Sequence, residues 1–177
     1  AVVGKLEDLA VRTKEITGGA VYSALASVEQ ALHGAKATDV EGRSLWDALE
    51  KMFECKGVVW GHGLHALLAV VYTEALGIAP AFLLRGTFST LVSIAGGKLS
   101  TSARECAIHV LGKIARERGA ELGVTIADAV TALSKIIRSY DLAVRTLPSD
   151  LTLRATVYAS LAHIVHGSPQ HTFELHK

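Results

Sequence analysis

Apolar residues recur at helical spacing along almost the whole chain. Val2, Leu6, Leu9 and Ala10 form one stripe, broken by Gly18-Gly19, and Val21, Leu25, Val28 and Leu32 form a second that ends at Gly34. Thr38-x-x-Glu41 predicts a capping box, in which the hydroxyl accepts from the third amide and the carboxylate reaches back to the cap. It opens a helix carrying Leu45, Trp46, Leu49, Met52 and Phe53, closed near Gly57. Residues 58–76 and 81–95 are apolar nearly all round, which predicts helices covered on several sides. A turn at Gly77-Ile78-Ala79-Pro80 separates them, and Gly96-Gly97 stops the second. Ser102-x-x-Glu105 predicts another capping box, before a helix with Cys106, Ala107, Val110, Leu111, Ile114 and Ala115 inward. Gly119 and Gly123 punctuate the next turn, and Thr125 is placed to cap a helix striped by Ile126, Val130, Leu133 and Ile137. Pro148 ends any helix before it, Ser149 and Asp150 are good caps, and a last helix runs from about 151 to 166, closed by Ser168-Pro169. No strict alternation bounded by Asn-Gly or Asp-Gly occurs, so the expected class is all-α.

One of these helical patterns occurs twice. Ala103-Arg104-x-x-Ala107-x-x-Val110-Leu111-Gly112-x-Ile114 is echoed by Leu153-Arg154-x-x-Val157-x-x-Ser160-Leu161-Ala162-x-Ile164. Apolar or small residues fall at offsets 0, +4, +7, +8 and +11, and an Arg falls at +1 in both copies. The copies lie 50 residues apart, with an amphipathic helix (roughly 124–139) between them. A weaker copy at Leu64, Leu68, Val71, Tyr72 and Ala75 lies 39 residues before Ala103. Helix-turn-helix units that recur in this way stack, because one unit alone cannot bury its apolar face.

These residues resemble the HEAT/armadillo helical-repeat superfamily, whose first helix is often introduced by an Asp followed by Val-Arg and then small and Leu positions. Asp150-x-x-Leu153-Arg154 matches that entry into the helix. Asp141-x-x-Val144-Arg145 matches it too, but Pro148 stops the helix from continuing in register. The 50-residue spacing exceeds the usual period near 40 and implies an inserted loop around 141–149. The pattern covers about 64–167, whereas residues 1–56 match only in being helical. More narrowly, residues 103–166 resemble the very large HEAT-repeat proteins that accompany clathrin adaptors in endosome–Golgi traffic. That similarity lies in an Ala-rich first helix, the Ala-x-x-x-Leu-Ser-Lys helix at 129–135 and the Leu-Arg helix that follows. The resemblance implies antiparallel helical hairpins stacked as a HEAT-like α-solenoid, with Arg104 and Arg154 bridging to a neighbouring repeat's Asp (Asp141 or Asp150) or to a helix C-terminus.

Composition narrows the function classes. Half of the 177 residues are apolar, which excludes a disordered chain. The net charge of +1 gives no bulk signal for nucleic acid or anionic membrane. Residues 57–99 hold three charges, Glu74, Arg85 and Lys98, and read as the most buried stretch. Leu64–Leu84 is long enough to span a bilayer, but His65, Glu74, Gly77 and Pro80 interrupt it and favour two helices of a core. Two unclustered cysteines, Cys55 and Cys106, fit reduced thiols and a cytoplasmic setting.

Catalytic and metal signals are weak. His62-x-x-His65 and His163-x-x-His166 each put two imidazoles on one helical face, but a third ligand of matching spacing is missing. Gly96-Gly97-Lys98 is not a phosphate loop, because Val92 stands where the first Gly belongs and Leu99 follows the Lys. Trp46, Trp60, Tyr22, Tyr72, Phe53, Phe82 and Phe88 fit the apolar stripes and are expected in the core. Arg104, Lys113, Arg116 and Arg118 are interleaved with Glu105, Glu117 and Glu121, the pattern of a solvated helix face.

The expectation is a non-enzymatic scaffold without cofactor, a segment of a larger HEAT-repeat protein that binds other proteins, with membrane (vesicle) trafficking as its setting. Its organisation is N-terminal helices over 1–56, HEAT-like repeats over 57–167 and a tail over 168–177. Asp128, Lys135 and Arg138, exposed on a second helix, are the candidate protein-binding residues. Two alternatives stand beside it: a compact bundle that binds a small molecule or metal, with 57–95 as a pocket wall, and a nucleic-acid-binding helical array.

Overall fold

The structure, a computed structural model, describes residues 18–54, 62–141 and 148–169. Among them every regular element is helical. Seven α-helices follow in order: α1 (Gly18–Leu32), α2 (Arg43–Glu54), α3 (His62–Ile78), α4 (Ala81–Gly96), α5 (Thr101–Leu122), α6 (Thr125–Asp141) and α7 (Pro148–Gly167). The chain forms two compact units, Ala1–Leu83 and Leu84–Lys177. The division falls inside α4, between the weak motif copy and the two strong ones. The first stripe (2–10), Cys55, Gly57, Trp60 and residues 142–147 of the insertion expected around 141–149 lie outside the described residues.

In the first unit α1 packs on α3 through Val21, Leu25, Val28 and Leu32, all buried as their spacing predicts. The α2 stripe (Leu45, Trp46, Leu49, Met52, Phe53) is buried in full, and Tyr72 of α3 sits between Trp46 and Phe53 at ring-centroid distances of 6.4 and 5.4 Å. Trp46 Nε1 donates to the Val40 carbonyl oxygen at 2.8 Å, which satisfies the buried indole and pins the chain entering α2. The capping box at Thr38–Glu41 does not form. Residues 37–39 make a single 3₁₀ turn closed by Lys36 N–H donating to Asp39 Oδ2 at 2.7 Å, and α2 starts only at Arg43. Thr38 thus lies inside the 3₁₀ turn rather than at the start of a helix. Tyr22 and Phe82, expected in the core, are exposed, each a step off its helix's buried stripe.

In the second unit the helix ends deviate from the sequence pattern by up to four residues. The cap of α5 is Ser100, whose Oγ accepts from Ala103 N at 3.3 Å, so Ser102 and Glu105 lie inside the helix. Thr125 is the first residue of α6 rather than its cap, and its hydroxyl donates backwards to the Leu122 carbonyl oxygen at 2.7 Å. Gly119 does not end α5. The helix breaks at Arg118 (φ −130°, ψ 24°) and continues to Gly123, the one described glycine at positive φ (57°). Arg118 closes a fork on Glu121 across the break, with Nε to Oε1 at 2.8 Å. α4 is covered along one stripe only, Leu84, Phe88, Leu91 and Ala95, and not all round. On α6 the buried stripe is Ile126, Ala129, Val130, Leu133 and Ile136, with Ile137 at the margin. Pro148 is itself the first residue of α7, where its missing N–H costs no hydrogen bond.

α5 and α7 make the most extensive contact of the unit, and α6 packs against both. Ser160 Oγ donates to the Ile108 carbonyl oxygen at 2.7 Å. A Cβ added to Gly112 would lie 2.6–2.8 Å from the Oγ, Cα and Cβ of Ser160. Further along, Gly167 meets the Ala115 carbonyl and Arg116 Cα, and Gly119 meets Gly167 and Ser168. These pairs ascend together on both helices, so α5 and α7 run parallel. Their separations of 48 to 52 residues bracket the 50 that separate the two motif copies. Of the leucines at offset +8, Leu111 is fully buried but Leu161 only half-buried, so the two motif copies share the offset without sharing its burial.

Two glycine substitutions report on this packing with opposite signs. Gly112→Ala is expected to destabilise the chain by about 1–3 kcal/mol, since the new methyl meets Ser160 backbone that cannot rotate away. Gly86→Ala, mid-helix in α4 with open space around it, should stabilise by about 0.5–1 kcal/mol. Leu111→Ala should cost about 2–5 kcal/mol and Leu161→Ala clearly less. Urea denaturation of the four variants checks the set.

Candidate protein-interaction groove

α6 carries polar or small residues at Asp128, Thr131, Ala132, Lys135 and Ser139, spaced to share the face turned away from its buried stripe. That face, with Ile136 at its edge, forms one wall of an open groove of about 530 Å³. Gly96, at the end of α4, and Arg104, in the first turn of α5, form the other wall. From Asp128 to Ser139 the groove follows α6 for about 16 Å, three helical turns.

Arg104 is held in place. Its Nε donates to the Ala95 carbonyl oxygen at 2.9 Å, so the motif's +1 arginine binds a helix C-terminus, one of the two roles expected for it. One edge of the guanidinium is thereby fixed, and Arg104 lines the groove. Lys135 and Asp128 form no hydrogen bond or ion pair with other described residues. The groove therefore displays two cations and one carboxylate, with hydroxyls of Thr131 and Ser139 between and beside them.

Of the three sequence candidates, Asp128 and Lys135 line the groove, whereas Arg138 is exposed on α6 outside it. Arg104, Thr131, Ser139 and Gly96 were not singled out as binding residues. The period of the polar face of α6 carried a signal for Thr131 and Ser139. Gly96 and Arg104 join the site through tertiary packing, which spacing does not encode.

Among the described residues the other candidate chemistry is not brought together. His65 is buried, and among the described residues no three His, Cys, Asp or Glu side chains come together as metal ligands. Cys106 is fully buried, and burial pushes its thiol far above the ordinary range, so it stays protonated at neutral pH. Gly96-Gly97 does end α4. Among the described residues no helix is long and apolar enough to cross a membrane. No protein-family model, curated protein or solved structure matches the chain.

The structural and recognition roles of the groove residues separate on mutation. Arg104→Ala should cost about 1–2 kcal/mol, because the Ala95 carbonyl loses a charged donor. Lys135→Ala should stay within about 0.5 kcal/mol of the parent. Thermal or urea unfolding of both variants checks this.

Proposed function

We propose that the chain is a segment of a HEAT-like α-solenoid, a non-enzymatic scaffold that binds other proteins through the α6 groove. The observation that carries this reading is the parallel, in-register packing of α5 and α7, which bear the two motif copies, with α6 packed against both. Successive first helices of stacked repeats require that arrangement. A second observation supports it. Leu151, Ala155, Tyr158, Ala162 and Val165 form an exposed stripe along α7, with Leu151 57 % and Tyr158 51 % accessible. An apolar stripe at helical spacing is what a further repeat would cover. The setting in adaptor-associated membrane traffic rests on the resemblance of residues 103–166 alone.

The test is affinity capture from extract with the whole chain and with the charge-reversed pair Asp128→Lys/Lys135→Glu, each repeated after nuclease treatment. The expected outcome is a discrete set of proteins that survives nuclease and falls roughly tenfold with the reversed pair, equivalent to about 1.4 kcal/mol. Adaptor or coat subunits within that set would support the trafficking assignment. Equal capture by both baits would move recognition away from the groove. Loss of all capture on nuclease treatment would favour the nucleic-acid array.

A further inference from the structure

A second charged surface lies across the α5–α7 contact. His109, Lys113 and Arg116 follow one another at four- and three-residue intervals on α5 and share a face. Arg116 sits where α7 comes closest, its Cα within reach of a Cβ on Gly167, and this places His163 and His166 of α7 beside the same face. The electrostatics agree with the geometry. Partial burial, then Lys113 and His163, hold the His109 imidazolium below its ordinary range. Partial burial, then Arg116, Lys113 and His166, do the same for His163. No carboxylate among the described residues contributes to either shift, and neither does any charged group of α6. Five basic groups from two helices thus converge, with no carboxylate among the described residues acting as their counter-ion.

We propose that His109, Lys113 and Arg116 of α5 and His163 and His166 of α7 form a binding site for a compact phosphate-bearing ligand. The shape of the patch selects the ligand class. Its α5 part spans about 10 Å along the axis, with Glu105 four residues before His109 and Glu117 beside Arg116. A patch this short suits one di- or triphosphate group, and a nucleic-acid track would need a longer basic run. Arg116 offers a fork and Lys113 a point charge, both suited to phosphate oxygens. The two lowered histidines add charge only in mild acid, so the site tightens as pH falls. In the empty site the same burial and repulsion work against the fold in acid. A histidine whose pKa is lowered on folding contributes stability that is present above its unfolded pKa near 6.5 and is lost as pH falls through the lowered value.

Isothermal titration of the whole chain with inorganic pyrophosphate, at pH 7.5 and 5.8 and constant ionic strength, tests the proposal. Wild type should bind one equivalent saturably, and Lys113→Ala/Arg116→Ala should lose at least roughly tenfold at both pH values, with Arg138→Ala as an unchanged control. His109→Gln/His163→Gln should keep the pH 7.5 affinity and lose the gain at pH 5.8. Protonation of the probe itself acts equally on this variant, so the ratio of wild type to variant is the readout. Circular dichroism confirms that each variant is folded. A parallel arm with phosphatidic-acid vesicles separates a lipid headgroup from a soluble phosphate: vesicle binding competed by pyrophosphate assigns the former, pyrophosphate binding alone the latter. Equal affinity of wild type and Lys113→Ala/Arg116→Ala, or an unchanged pH response in the histidine variant, overturns the proposal. Tighter binding of a single-stranded oligonucleotide through the same residues overturns the compact-ligand assignment.

Discussion

The second unit depends on how closely α5 and α7 approach each other. Gly112, Gly119 and Gly167 leave no room for a side chain at three places along the contact, and the hydroxyl of Ser160 reaches the backbone carbonyl of Ile108 on the other helix. A bond from a side chain on one helix to the main chain of another forms only when the axes are near. It also satisfies a polar atom that would otherwise be buried without a partner. Such contacts admit no sliding: a shift of one residue would place a Cβ where there is now only hydrogen. The parallel register of the two motif copies follows from that restriction. The groove and the basic patch follow in turn, because both are built on α5 and on the helices packed against it.

The parts of the fold legible in the sequence were those set by periodicity. The α1, α2 and α5 stripes needed only a count of apolar spacing, since burial of a continuous face dominates the free energy of a helix in a core. The ends were less legible. Ser100, Ser102, Thr125 and Asp39 are all competent caps, and the choice among them turns on differences of about 1 kcal/mol that tertiary packing overrides. Ile136 rather than Ile137 is buried on α6, a helix that packs against both α5 and α7. Gly119 read as a stop and is instead a contact point beyond a kink. A helix terminator and a close approach both require glycine, and sequence alone does not separate the two.

Site residues divide along the same line. Asp128 and Lys135 were readable as polar positions on an amphipathic helix, and they line the groove. Arg104 was readable as a motif position with two candidate roles, and the Ala95 carbonyl is the partner that the structure shows. The basic patch was not legible. His163 and His166 stood out as a possible metal pair, and Lys113 and Arg116 as members of a solvated face. Only the parallel contact of α5 with α7 brings these two sets together, from positions some 50 residues apart. A pattern search along one helix cannot find a cluster divided between two.

The two surfaces occupy different sides of α5. Arg104 and His109 are five residues apart, about 140° around the helix, so a ligand on one does not occlude the other. Their chemistries also differ. The groove offers cations, a carboxylate and hydroxyls along one axis, which favours an extended segment of mixed charge. The patch offers positive charge alone within a short span, which favours a small anion. Neither surface is deeply buried, so salt screens both, and each contributes modest affinity by itself. A stacked array compensates for weak single sites by presenting several at once to one partner, where effective concentration multiplies their affinities. Under the proposed solenoid reading, a modest groove on this chain is compatible with tight binding by a longer array.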